Sequence, residues 1–342
     1  DRAALLTNLA DNFIVPAYTD FESKVDALNT AINTFTAGPD STKLVAVRAA
    51  WLDALTTWQS VAYLNVGEGA NIVQRTQFNV YPTDTAQINA NIAVGIYNLG
   101  TPDNLSAKGF PGMDFLLYGV GNTAAEVVNE YTVSIDAGAR CTYLNDVAAD
   151  ALSFAQSILA DWQGGYRDTF IANSLDNSAG SSMSLIVNAY IEHFEAYVRK
   201  GKLGLPAGVF NIISGTPMPD QVECYFYGEC VPQLEESLEQ AQAIFNGDSY
   251  DGATSGMGLD DYVAFVEAQL EGQAMETTIN NQFAVAITAV QGLNDPLANE
   301  VVVNQTNCTD TYTEIQKLVA YFKTDMVSEL GIQITYADND GD

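Results

Sequence analysis

The stretch LLTNLADNFIVPAYTDFESKVDALNTAINTF, residues 5–35, decides the fold class. Leu5, Leu9, Phe13, Ala17, Phe21, Val25, Leu28, Ile32 and Phe35 recur at spacings of three and four, which lines one face of a long helix. Pro16 falls inside this pattern and is expected to bend the helix or remove one of its bonds. Gly38-Pro39 ends the helix, and Asp40 or Ser41 can cap a second one. Leu44, Val47, Trp51, Leu55, Trp58 and Ala62 form the apolar face of that second helix.

The same period returns along the chain. It predicts a helix through Leu144, Ala148, Ala151, Ala155, Ile158 and Trp162 that stops at Gly164-Gly165. Further helices are expected over 184–199, 234–245 and 275–290. Thr311-Tyr-Thr-Glu314 reads as a capping box opening the last helix, and Ile332–Tyr336 as a short extended tail. The expected class is all-α, two packed helical bundles spanning 1–165 and 166–342.

The 342 residues carry 43 acids against 13 bases, a formal charge of −30. Such a surface repels nucleic acid and anionic lipid, which excludes both as partners, and suits a salty extracytoplasmic setting. No apolar run approaches the roughly 20 residues of a membrane span. A start at Asp1, without initiator Met or signal peptide, is what a trimmed mature chain would show. Of four cysteines, Cys224 and Cys230 flank only YFYGE and are expected to form a disulfide in an oxidising compartment, while the pairing of Cys141 and Cys308 stays open.

GFPGMDFLLYG, residues 109–119, reads as a tight turn followed by a short apolar helix. It resembles the signature segment of the imelysin family, a Gly-x-His-x-x-Glu pattern with an apolar run behind it. Gly109 matches the glycine, Pro111 occupies the histidine slot and Asp114 the glutamate slot. IVPAYTDFESKVDAL from Ile14, AAWLDALTTWQSVAYLNVG from Ala49, EAYVRKGKLGLPAG from Glu195 and the ending from Tyr312 resemble further family segments, in order. The resemblance implies a helical two-bundle fold with the signature segment near the junction. It also implies export as a lipoprotein or secreted protein and a link to bacterial iron uptake. The family's type member is a metal-dependent, insulin-cleaving peptidase.

A metallopeptidase needs nitrogen or oxygen ligands, an open position for water and a carboxylate base. A His-Glu-x-x-His pattern cannot exist in a chain with one histidine. Asp114 can ligate a cation, or else cap or pair within a segment that packs Phe110, Met113, Phe115 and Leu116. His193 projects off the Val187, Ile191, Phe194, Val198 stripe and is expected to be partly exposed beside Tyr190 and Tyr197. Glu195 projects to the boundary, where it would face a cleft between bundles or pair with Arg199. Trp51 and Trp58 have core spacing, with a pocket lining as the alternative, and Arg48 has Glu68 or Asp114 as carboxylate partners, or none. Asp338–Asp342 echoes part of a calcium loop and reads as a solvated tail.

The expected function is a non-catalytic binding or accessory component of iron uptake. Any divalent metal or iron would be bound weakly by Asp114 and Glu195, and partners would be uptake components or a small ligand between the bundles. The alternatives are a peptidase using Asp114, Glu195 and one more carboxylate, and a surface interaction module with a vestigial cleft.

Overall fold

The computed structural model describes residues 1–337, so the Asp338–Asp342 segment lies outside the described residues. The all-α class holds: the only strands among the described residues are the antiparallel pair Gln269–Leu270 and Gln273–Ala274.

The opening segment is one long rod built from Arg2–Asn8, a π-helical stretch Leu9–Ile14 and Val15–Thr36. Pro16 accounts for the middle piece. Proline has no N–H and its ring crowds the carbonyl four residues back, so the helix widens ahead of it. That carbonyl, of Asn12, accepts the N–H of Tyr250 at 2.8 Å instead. A local defect in the helix thereby becomes a tether to a distant loop, reinforced by Tyr250 Oη donating to Asp20 at 2.7 Å.

Asp40 caps the second helix, Ser41–Val61, by accepting the Lys43 N–H at 2.8 Å. Val15–Thr36 packs against this helix on one side and against Ala137–Asp161 on another. Phe21, Trp58, Phe78 and Phe110 meet at their centre with ring centroids 5.1–6.4 Å apart. Burying each such ring stabilises the fold by about 1.5–3 kcal/mol.

The later helices form a second packed group. Ser182–Glu192 runs directly into the π-helical His193–Gly204, and Val231–Asn246, Met275–Gln291 and Gln305–Ala320 pack with it. Phe194, Phe245, Phe283 and Phe322 make the ring cluster of this half. The two groups meet where Ser41–Val61 lies against Val231–Asn246, and buried apolar side chains run continuously through both.

Two local readings are corrected. Thr311–Glu314 does not open a helix but lies inside Gln305–Ala320. Thr311 is buried with its hydroxyl toward Ala289 O, and Glu314 takes Lys317 and Gln282, so neither side chain caps. The helix carrying His193 has no solvent stripe where the wheel placed one. It is central, covered by both halves, and buried almost all round.

Candidate functional site

Gly109 starts the signature helix Gly109–Asp114 at φ +66°, and a Cβ there would collide with the Phe78 carbonyl. Lys108, just before it, is buried and pairs with Asp150 at 2.8 Å, which fastens the turn to Ala137–Asp161. The chain continues as the π-helical Phe115–Gly119. Phe110, Met113 and Leu116 point into the core. Pro111 and Asp114 instead line a cavity of about 190 Å³ whose other wall includes Tyr81, Thr83, Asp220, Glu223, Tyr225 and Phe226.

Asp114 is buried, and both its oxygens are occupied. Oδ2 accepts the Phe226 N–H at 3.0 Å and Oδ1 the Tyr227 N–H at 2.8 Å. Burial pushes its carboxyl up to about 7; the two N–H groups oppose the rise and the charge of Glu223 adds to it.

Glu223 is the second carboxylate of the cavity, and it too is committed. Its Oε2 pairs with the buried Lys202 ammonium. Its Oε1 accepts from Asn79 Nδ2 at 2.6 Å and from Gln59 Nε2 at 3.3 Å. Gln59 extends the network to the second half by accepting from Ser237 Oγ at 2.8 Å. Four elements thus converge on one buried ion pair. None of Glu223, Lys202, Asn79 and Gln59 stands out from spacing alone. Lys202 lies within the family-like KGKLG run, which was the one available signal; Glu223 sits in a loop with no periodicity.

The residues singled out from sequence do not assemble around Asp114. Glu195 does not face a cleft: it is buried, with Oε1 accepting from Lys323 at 2.7 Å and Arg199 at 3.4 Å, and Oε2 from Tyr336 at 2.6 Å. It ties the chain's last described residues to the central helix, so the ion-pair reading with Arg199 holds. Arg48 pairs with neither Glu68 nor Asp114. Its Nε and Nη2 donate to Leu117 O at 3.0 and 2.7 Å, satisfying a carbonyl of the short π-helix, and it stacks on Tyr118. Glu68 accepts from Ser157 and Asn71 elsewhere. Trp51 is core, its indole N–H donating to Phe110 O at 3.1 Å. His193 is a correction: it is 6% exposed, packed edge-on against Tyr63 at 4.6 Å.

The Cys224–Cys230 bond expected from spacing is not made; all four cysteines are free thiols. The loop between the two is held without it. Asp114 grips Phe226 and Tyr227, and Asp295 Oδ1 accepts the Cys230 and Val231 N–H groups at 2.9 and 3.2 Å. The Cys230 thiol points to Cys224 O at 3.4 Å, and the Cys224 thiol is hydrogen-bonded to Cys230 and held well above the usual thiol range. Because the Cys230 thiol already lies against Cys224, mild oxidation is expected to remove two hydrogens from the segment 224–230 and leave Cys141 and Cys308 reduced. Mass mapping in which Cys224 and Cys230 both remain alkylatable after oxidant would contradict this.

A metal held by Asp114 and Glu195 does not fit these donors. Asp114 spends both oxygens on backbone N–H groups, Glu195 has three cationic or hydroxyl donors, and Pro111 offers no side-chain nitrogen. Among the described residues no cluster of three His, Cys, Asp or Glu side chains is arranged to hold an ion.

The imelysin family model matches residues 14–324. The chain belongs to the imelysin family. Its fold is similar to that of a solved structure assigned as an iron-regulated protein A precursor from Parabacteroides distasonis ATCC 8503, with 16% identity, a TM-score of 0.74 and 95% of each chain covered. It is also similar to an imelysin-like protein from Psychrobacter arcticum 273-4, with 18% identity, a TM-score of 0.71, and 97% of this chain and 96% of that chain covered. No curated protein matches it significantly. Pro111 and Asp114, singled out by the resemblance to the family signature, both border the 190 Å³ cavity.

Proposed function

We propose that this imelysin is an exported, non-catalytic binding or accessory component of bacterial iron acquisition, working outside the cytoplasm and held by a lipid anchor. The observation that supports the non-catalytic part is the hold on both carboxylates of the signature cavity: Asp114 accepts a backbone N–H on each oxygen, and Glu223 is ion-paired to Lys202 and accepts from Asn79. A metallopeptidase needs a carboxylate free to take a proton from a metal-bound water. Pro111, where the family pattern carries histidine, removes the nitrogen ligand as well.

The same cavity supports a binding role. It is preformed, and Thr83, Asp220 and Tyr225 give it a polar rim suited to a small polar ligand. The iron link rests on the iron-regulated protein A fold relative. The anchoring part is consistent with helices none of which, among the described residues, is long and apolar enough to cross a membrane.

The test incubates the protein with unfolded substrates and zinc, manganese or iron(II), with calorimetry for metal binding in parallel. No chelator-sensitive cleavage and only weak metal binding are expected. Cleavage that disappears both with chelator and in Asp114→Ala would establish the peptidase reading instead.

A further inference from the structure

The chain's only histidine lies outside the signature cavity and has an unused polar atom. His193 Nε2 and Asn65 Oδ1 are both buried, and neither finds a hydrogen-bond partner among the described residues. Buried polar atoms without partners are costly and rare, and they mark places built for something else to complete. Both side chains line one cavity of about 80 Å³, together with Arg75, Glu192 and Tyr197. That is the liquid volume of about three waters.

The charges around the cavity favour an anion. Arg75 stacks on the Tyr197 ring at 4.1 Å and donates weakly to Asn79 O at 3.4 Å. Among the described residues it makes no ion pair, in a chain where 43 acids surround 13 bases. Burial, then Lys202 and Arg75, hold the imidazole well below its usual range and so favour its neutral form. Glu192 is the one acid of the lining, and burial raises its carboxyl while Arg75 pulls the other way. Tyr63 and Tyr190, packed beside the histidine, stay neutral because burial lifts their hydroxyls far above the usual range. A metal ion would meet the Arg75 charge in the lining. An anion would be welcomed by Arg75, and its charge favours the protonated imidazole, in which both ring nitrogens of His193 are donors. Asn65 Oδ1 still asks for a donor, which the ligand must bring.

We propose that this cavity binds a small oxyanion carrying one hydroxyl, of the size and chemistry of bicarbonate. The charged oxygens match Arg75 and protonated His193, and the hydroxyl matches Asn65 Oδ1. Binding takes up a proton, so affinity rises as pH falls while the oxyanion itself stays ionised.

The single histidine makes the test direct. In tag-free protein labelled with ¹⁵N-histidine, bicarbonate is titrated while the two ring nitrogens are followed by NMR. The expected result is a saturable shift of both nitrogens toward the protonated form. Formate, which lacks the hydroxyl, should bind about tenfold more weakly, the worth of one hydrogen bond. Arg75→Gln should weaken bicarbonate by at least about tenfold, with an unchanged melting profile. Asn65→Asp, which puts a like charge in the cavity, should do the same if the arginine variant folds poorly. Three results would overturn the proposal: ring nitrogens indifferent to tens of millimolar bicarbonate, which would mean ordered water only; a bicarbonate response in both variants as strong as in wild type; or broadening of the His193 signals by manganese(II) without bicarbonate, which would mark a cation site.

Discussion

Glu223→Leu is expected to lower the unfolding free energy by about 3–5 kcal/mol, because it strands a buried cation. Lys202 and Glu223 are each 4% exposed and form a buried ion pair whose carboxylate lines the signature cavity. Removing the carboxylate leaves the buried ammonium without its counter-charge, and leaves the Asn79 and Gln59 amides without their acceptor. The double change Glu223→Leu with Lys202→Met removes both charges at similar volume, and it should recover most of the loss, since a buried pair replaced by apolar groups is often near neutral. Urea unfolding of the two single variants and the double variant measures this as a coupling energy. A single variant within about 1 kcal/mol of wild type would show that the pair is solvated and does not hold the four elements together.

Stability should also depend on the protonation of Asp114, with a definite sign. Its carboxyl is raised to about 7 in the folded protein, from an ordinary value of 3.8. The folded state therefore holds this proton more tightly than the unfolded chain does. The contribution is fully present below 3.8 and is lost as pH rises through about 7. A rise of about three pK units corresponds to about 4 kcal/mol. Asp114→Asn carries no titrating group and should flatten that part of the pH profile. At high pH the variant removes a buried charge but turns an N–H₂ toward one of the two backbone N–H groups, so it gains little there. The measurement is unfolding free energy against pH for wild type and variant, with the Asp114 carboxyl carbon followed by NMR. Identical slopes in the two proteins between pH 4 and 7, or a carboxyl midpoint near 3.8, would refute the assignment.

The helices were legible because their cause is local. The spacing from Leu5 to Phe35, the Asp40 cap and the stop at Gly164-Gly165 need only the 3.6 period and the φ/ψ limits of a few residues. The family was legible for a related reason: its segments keep their order, and Gly109 must be glycine because the Phe78 carbonyl leaves no room for a Cβ. Side-chain partners were not legible. A helical wheel assumes one buried face, so it set His193 at the surface of a helix that is covered almost all round. It also pointed Glu195 at a cleft, although Lys323 and Tyr336 arrive from 128 and 141 residues away to claim it.

Cys224 and Cys230 looked like a staple because sequence shows separation and not what else holds the loop. Asp114, 112 residues before Phe226, already holds it. The sequence by itself determined the helical class and the family, since these depend on periodicity and residue identity. Only the tertiary structure decided which partners hold Asp114, Glu223 and Glu195, and that, among the described residues, Arg75 makes no ion pair and His193 Nε2 finds no partner. Those properties depend on burial and on contacts between residues far apart in the chain, where removal from water makes each polar atom's partner a matter of several kcal/mol.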